Sequence, residues 1–487
     1  MATAAGRARP DLTTGPITRT LLVFSLPVMG GNLLQSLNGS VNQFWVSHSL
    51  GVTAITAIGN ANIVMLLMLG GVFGVSMACN ILIGQSVGRG DMKEVKRVMG
   101  TSVTFFLALA ALVAFTGLMT SDAILGLMGT PAESSVEAVT YLRIVFLAMP
   151  FMYLFAFLQM AQRGVGDSTT PFYFMLLAVV LDVILNPLLI NGVGPFPRLA
   201  IAGSAVSTLI GQGISLVLLV ITLYRRKSPL ALHRSEARLL RPNPAILRAL
   251  IGKGLPMGLQ MLIMSGAAMV MIGLVNSYGA VTAAAYTGAS QVWTYVQMPA
   301  MAIGAAVSSM AAQNVGAGKW DRVDQIARSG VLCGLAITGA AAAIIYLLGD
   351  VTLRIFLPGD SPALPIAHHI NERVLWGFVL FSVTFALSGV VRATGAVWTP
   401  LLILIVSMYV VRVPFASLMS EWIGADAIWW SFPLGIVASG VLTTLYYRFG
   451  GWRKLRLLSP RTAGQAPDAG MATPAVSVAD TARPTRA

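Results

Sequence analysis

The chain has 487 residues, 56% of them hydrophobic and 10% charged, with a mean hydropathy of +0.77 and a formal net charge of +14. Soluble proteins carry about 25% charged residues to wet their surface, so a water-soluble globule is excluded. Two cysteines make no disulfide framework, and four histidines with scattered carboxylates make no metal-ligand cluster, so neither a metal nor another cofactor is expected.

In chain order, residues 1–16 form a polar tail that includes Arg7, Arg9 and Asp11. The apolar run behind it is longer than the 7–15 residues of a signal h-region, so no cleavable leader is expected. Twelve apolar stretches then predict membrane-spanning helices, because a bilayer core of about 30 Å takes about 20 helical residues. The first six lie at 17–47, 52–84, 93–119, 134–162, 168–190 and 199–224, forming a bundle over 17–224. A basic linker at 225–245 follows. Six more helices lie at 246–276, 281–315, 321–348, 364–394, 397–419 and 425–448, a second bundle over 246–448. None of these stretches alternates in the manner of a barrel strand, so the fold class is all-α integral membrane. Residues 449–487 read as a cytoplasmic tail, rich in Pro, Ala, Ser and Thr from 458 and expected to be disordered. The sequon Asn38-Gly39-Ser40 falls inside an apolar helix and is set aside.

Basic residues orient the chain. Twelve spans put both termini on one face, and 27 of the 32 Lys and Arg fall on that face: in the N-tail, the 88–97 loop, the central loop and the residues from Arg448 onward, with Arg163, Lys319, Arg322, Arg328 and Arg392. Arg143, Arg198, Arg354 and Arg373 fall on the other side, and Arg412 within a span. The positive-inside rule makes the basic face cytoplasmic. The net charge thus reflects topology and contact with anionic headgroups rather than a nucleic-acid partner.

The two bundles repeat at a fixed offset. Leu26-Pro27 recurs as Leu255-Pro256, and Gly51–Gly59 as Ala280–Gly288, both at 229. Gln85-Ser-Val-Gly-Arg-Gly90 recurs as Gln313-Asn-Val-Gly-Ala-Gly318 at 228, and Arg163-Gly-Val-Gly166 with Thr170-Pro171 as Arg392-Ala-Thr-Gly395 with Thr399-Pro400 at 229. An even number of spans per half makes them parallel repeats, an arrangement that places a central cavity between two bundles, where rocking can expose a midplane site to either side. Gln-x-x-Gly-x-Gly is read as a helix end and tight loop; without Gly-Lys-Ser/Thr it is no phosphate cradle. In Arg-x-x-Gly-x-x-x-Thr-Pro the arginine is expected to cap carbonyls, the threonine to cap the next helix, and the proline to sit in its first turn.

Together these motifs resemble the multidrug and toxic compound extrusion (MATE) family over about residues 15–450. The resemblance implies a V-shaped twelve-helix fold and export of drugs or organic cations against inward H⁺ or Na⁺. It also implies a monomer in a bacterial inner membrane, with a small-molecule substrate and lipids as its partners.

Of the 18 acidic residues, only Asp182 lies deep within a span. A charge at the bilayer centre costs at least about 2.5–3.5 kcal/mol and is therefore usually functional; a carboxyl there can carry a proton. Asn186 stands one turn away, and Pro187 removes a backbone donor beside it. Two structural readings compete: a hydrogen-bonded, permanently protonated Asp182, or one paired with Arg412. The family's pattern places an acid in helix 1 where this chain has Asn42, and an Asn then an Asp in helix 5 where it has Asp182 then Asn186. Gln35 and Ser204 match other polar positions of that pocket, and the acids some members carry in helices 7 and 10 have no counterpart. The resemblance thus implies coupling in the first bundle, with H⁺ favoured over Na⁺. Pro27, Pro256 and Pro187 are candidate bends. Met65, Met68, Met257, Met261, Met264, Tyr286, Trp293 and Tyr295 are candidate cavity residues, since thioethers and rings suit adaptable binding.

Two other classes fit less well. A flippase for a lipid-linked precursor would favour extra spans and a cationic central cavity. A membrane-embedded transferase would need clustered His, Asp or Glu at a membrane face.

Overall fold

The computed structural model describes residues 11–50, 52–127 and 132–454; the expected N-tail through residue 10 and the C-tail beyond 454 lie outside the described residues. Six long helices, α1 (Ile17–Leu50), α2 (Val52–Gly88), α3 (Met92–Leu127), α4 (Ala132–Gly164), α5 (Thr169–Asn191) and α6 (Ile201–Arg225), make the first half. The second half comprises α7 (Pro244–Asn276), α8 (Ala280–Gly316), α9 (Trp320–Leu348), α10 (Ala363–Ala393), α11 (Trp398–Ile423) and α12 (Asp426–Phe449). There is no strand among the described residues. Eleven of these helices are long and apolar enough to cross a membrane. The exception, α8, is rich in Ala, Gly, Ser, Gln and Asn, and most of its length is buried against neighbouring helices. A helix that faces protein rather than lipid needs small residues for close packing more than it needs hydrophobicity.

Several helices overrun their expected ends. α3 continues eight residues past the predicted 119, to Leu127. Its polar residues there do not break it, because Thr120 Oγ1 donates to the Thr116 carbonyl at 2.8 Å and Ser121 Oγ to that of Gly117. Hydroxyls satisfied by their own helix cost little in apolar surroundings.

The packing repeats with the sequence. In the first half α4 packs against α2, α3 and α6, and α5 against α1 and α6. In the second half α10 packs against α8, α9 and α12, and α11 against α7 and α12, the same partners six helices on. Contacts between the halves obey the same exchange: α2 meets α7 as α8 meets α1, and α2 meets α8. The motif glycines also correspond, with φ of 74° at Gly90 and 73° at Gly318, and 93° at Gly166 and 95° at Gly395. These are left-handed turns that favour glycine.

On the face that carries the linker, the repeated glutamines cross between halves. Gln85 Nε2 donates to the Ala393 carbonyl at 2.7 Å, and Gln313 Nε2 to the Gly164 carbonyl at 2.8 Å. Asn80 and Ser309, 229 positions apart, exchange hydrogen bonds at 3.2 and 3.4 Å. The segment before α1 is pinned to the second half as well. Lys319 Nζ donates to the Thr13 carbonyl at 2.9 Å, Arg322 Nη2 to that of Thr14 at 2.7 Å, and Asn314 Nδ2 to that of Leu12 at 3.0 Å. The linker forms a 3₁₀ turn over Arg234–Leu240 that lies along α3, where Lys96 pairs with Glu236 and Thr104 Oγ1 donates to the Leu240 carbonyl at 2.6 Å. The Lys96 ammonium, then the His233 backbone, hold the Glu236 carboxyl below the usual carboxylate range.

Two expectations about the Arg-x-x-Gly-x-x-x-Thr-Pro loops change. Asp167, not Thr170, caps α5: its Oδ1 accepts from the Thr169 and Thr170 amides at 3.1 and 2.9 Å. A carboxylate is a stronger acceptor than a hydroxyl at a helix N-terminus and complements its dipole. Nor do the arginines cap carbonyls. Arg163 reaches the Met160 thioether and Arg392 the Gln260 amide oxygen.

Candidate functional site

Asp182 is 2% exposed, midway along α5, and its carboxyl collects donors from three helices. From α1, Asn38 Nδ2 donates to Oδ2 at 2.9 Å and Asn42 Nδ2 at 3.1 Å. From α6, Ser207 and Thr208 donate to Oδ1, the latter at 3.3 Å. Asn186, one turn along α5, donates to Asn42 Oδ1, so the sequence-predicted pair and the helix-1 position that replaces the family's acid form one chain of hydrogen bonds. The α5–α6 approach that permits this is close: Gly211 of α6 faces the Ala178 carbonyl. Both hydroxyls also reach the Ser204 carbonyl, Ser207 at 2.9 Å and Thr208 at 3.2 Å, and each has one proton to give, so the two amides are the carboxyl's undivided donors. Two acceptors beside it, Asn38 Oδ1 and Asn186 Oδ1, are buried without a partner.

Against this network lies a cavity of about 480 Å³ inside the first half, within the usual range for small-molecule sites. Gln35, Asn42, Met65 and Ser204 line it. Asp182 and Asn186 stand behind that lining, reached through Asn38, Asn42 and Thr208. Residues that sequence reasoning missed include Asn38, Ser207 and Thr208 around the carboxyl, and Gln159, Arg163 and Gln212 on the cavity wall. Asn38 and Asn42 are four apart, on one face of α1, which was a usable signal. Ser207 and Thr208 had none, since hydroxyls in an apolar helix usually bond their own backbone.

The other candidates lie elsewhere. Tyr286 and Trp293 belong to the core of the second half: Tyr286 stacks on Trp429 at 6.1 Å, and Trp293 Nε1 donates to Asn371 Oδ1 at 2.8 Å. Met257 is buried on α7, and Met261 stands opposite Gly70 of α2. Arg412 does not pair with Asp182. Its guanidinium sits 3.5 Å from the centre of the Phe432 ring, at the end of a π-helical stretch, Val406–Arg412, inside α11. Pro27, Pro187 and Pro256 lie inside α1, α5 and α7.

A family model described as MatE matches residues 27–188 and 256–418, one match per repeat. The probable multidrug resistance protein YoeA of Bacillus subtilis (strain 168) is 34% identical over 443 residues, covering 91% of this chain and 95% of that protein. The probable multidrug resistance protein YpnP of the same organism is 30% identical, covering 93% and 99%. Among solved structures, an outward-facing multidrug resistance MATE family transporter of the MOP superfamily superposes with a TM-score of 0.84. It is 20% identical and covers 92% of this chain and 98% of that one, a likeness of fold.

Proposed function

The chain belongs to the MatE family of multi-pass membrane transporters, and from that premise we propose that it is a secondary antiporter. It exports drugs or metabolites across a bacterial inner membrane, with its basic face in the cytoplasm, and inward H⁺ drives it through Asp182. The observation that carries this reading is the buried carboxyl itself, held by Asn38, Asn42, Ser207 and Thr208 behind the wall of a substrate-sized cavity.

The chemistry of the amides supports a proton as the driving ion. An ionised carboxylate only accepts hydrogen bonds, whereas a protonated one must also donate. A carboxamide serves both states by turning over, and the oxygens of Asn38 and Asn186 are the acceptors without partners. Protonation of Asp182 therefore reorders Asn38, Asn42 and Asn186, which tie α1 to α5. Pro27 and Pro187, each depriving its helix of one backbone hydrogen bond, provide soft points at which α1 and α5 bend in response; Pro256 does the same for α7.

Reconstitution in proteoliposomes with separately imposed H⁺ and Na⁺ gradients tests this. A proton gradient is expected to drive substrate movement by the wild type and a Na⁺ gradient alone to fail, while Asp182→Asn abolishes the proton-driven component. Equal proton-driven transport by Asp182→Asn and wild type would refute the assignment.

A further inference from the structure

Arg163 is the only charged side chain among the described residues that line the cavity. It sits in the last turn of α4, at the cavity's basic-face end. Its one hydrogen-bond partner is a thioether: Nη1 lies 3.9 Å from Met160 Sδ. Its Nε is buried with no partner. Sulfur is a weak acceptor, and the half-buried guanidinium has no anion among the described residues to offset its partial loss of water. The equivalent residue of the second half, Arg392, also has a buried Nε without a partner, but its Nη1 bonds the Gln260 amide oxygen at 3.4 Å. The repeats differ in that Arg163 faces the first half's cavity and bonds no oxygen acceptor among the described residues.

The rest of the cavity wall carries no countercharge. Eight of its residues bear carboxamides, Gln159, Gln212 and Asn62 among them, and each amide offers both a donor and acceptor. The Asp182 carboxyl is withheld behind Asn38 and Asn42, its oxygens already occupied. A solute entering the cavity therefore meets one positive charge, a set of neutral amides, and apolar surface from Met65, Phe73, Met152 and Phe155. A cation finds repulsion from that charge, whereas an oxyanion finds a guanidinium fork suited to bidentate pairing.

We propose that the solute this cavity holds is an organic anion, whose carboxylate or phosphate group pairs with Arg163 while its body rests against the amides and the apolar side chains of the wall. This narrows the export reading given above and rests on it for direction of transport, not for binding. Carboxyfluorescein and rhodamine 6G share a xanthene frame and carry opposite charge. Their affinities are measured by fluorescence polarisation on the full-length protein in phosphatidylcholine nanodiscs, with no ion gradient. The anionic dye is expected to bind more tightly to the wild type. Arg163→Gln should weaken it at least about tenfold and leave the cationic dye unchanged or tighter, the tenfold corresponding to one lost charge-assisted contact. Gln159→Glu provides a second route that keeps the arginine: a carboxylate one turn before Arg163 pairs with it along the helix, and is expected to reverse the preference of the two dyes. Arg143→Gln, which removes a cation paired with Asp122 on the opposite face, should preserve the preference.

Wild-type protein that fails to favour the anionic dye overturns the proposal, as does an anion-to-cation ratio unmoved by both Arg163→Gln and Gln159→Glu. Displacement of the anionic dye by added phosphatidylglycerol would overturn it in favour of a lipid headgroup. Binding of the anion without proton-driven transport would refute the coupling assignment alone.

Discussion

A single buried carboxyl organises the first half, and its surroundings show which residues a sequence can reveal. Asp182 was legible by elimination, since every other acid lies in a loop, a tail or near a helix end, and Asn186 by its one-turn spacing. Asn38 stood out as a sequon in an unsuitable place, and its spacing of four from Asn42 was the signal that its amide is bonded directly to the carboxyl. Ser207 and Thr208 arrive from α6, and only the fold brings them to α5. Within this chain Asn42 is the joint, donating to Asp182 and accepting from Asn186. Asn42→Ala is therefore expected to destabilise the protein by about 1–3 kcal/mol, because it strips a buried carboxyl of a donor and a buried amide of its acceptor. Asn186→Ala removes only the second of these bonds and should cost less. Thermal unfolding of the solubilised protein ranks the two; an equal or reversed order would remove Asn42 from that central place.

The helices were readable as spans, but the way α2 and α7 meet was not. Glycine in a sequence suggests turns, and the repeated loop glycines deserve that reading. Gly74, Gly254 and Gly258 do something else: they let two helix backbones touch. A Cβ on Gly74 would stand 2.2 Å from the Gly258 nitrogen and 2.4 Å from the Gly254 oxygen. Both obstacles are backbone, so no side chain can move aside, and the helices must part. In lipid, where apolar surface alone does not hold helices together, such close approach is a principal source of association. Gly74→Ala is expected to lower the yield of monodisperse protein sharply. Gly71→Ala, three residues earlier with open space at its Cβ, should behave as wild type in the same size-exclusion measurement. Apolarity misled in the opposite direction for Arg412, whose burial suggested a partner for Asp182. It is accommodated instead by the face of Phe432, a contact that charge counting does not anticipate.

At the scale of the whole molecule, the duplication legible in the sequence becomes a reciprocal seal. Each half lends a glutamine to the other's loop, through Gln85 and Gln313. The motif signalled a helix end and a turn; what the side chain reaches across to required both halves at once. Two hydrogen bonds of about 0.5–1.5 kcal/mol each are enough to bias a two-state equilibrium. Gln85→Ala combined with Gln313→Ala is expected to open this face more often. A cysteine introduced by Ser309→Cys beside Asn80 would then react with a maleimide roughly fivefold faster or more, and an unchanged rate would dismiss the seal. The segment Leu12–Thr14 adds a consequence for assembly. Its carbonyls are held by Asn314, Lys319 and Arg322, and Lys319 is 306 positions away from Thr13. During synthesis those carbonyls emerge ahead of α1 and stay unclaimed until eight helices have been threaded into the bilayer. The knot that ties the segment before the first helix is thus among the later ones to be drawn, and it reports that both repeats have arrived.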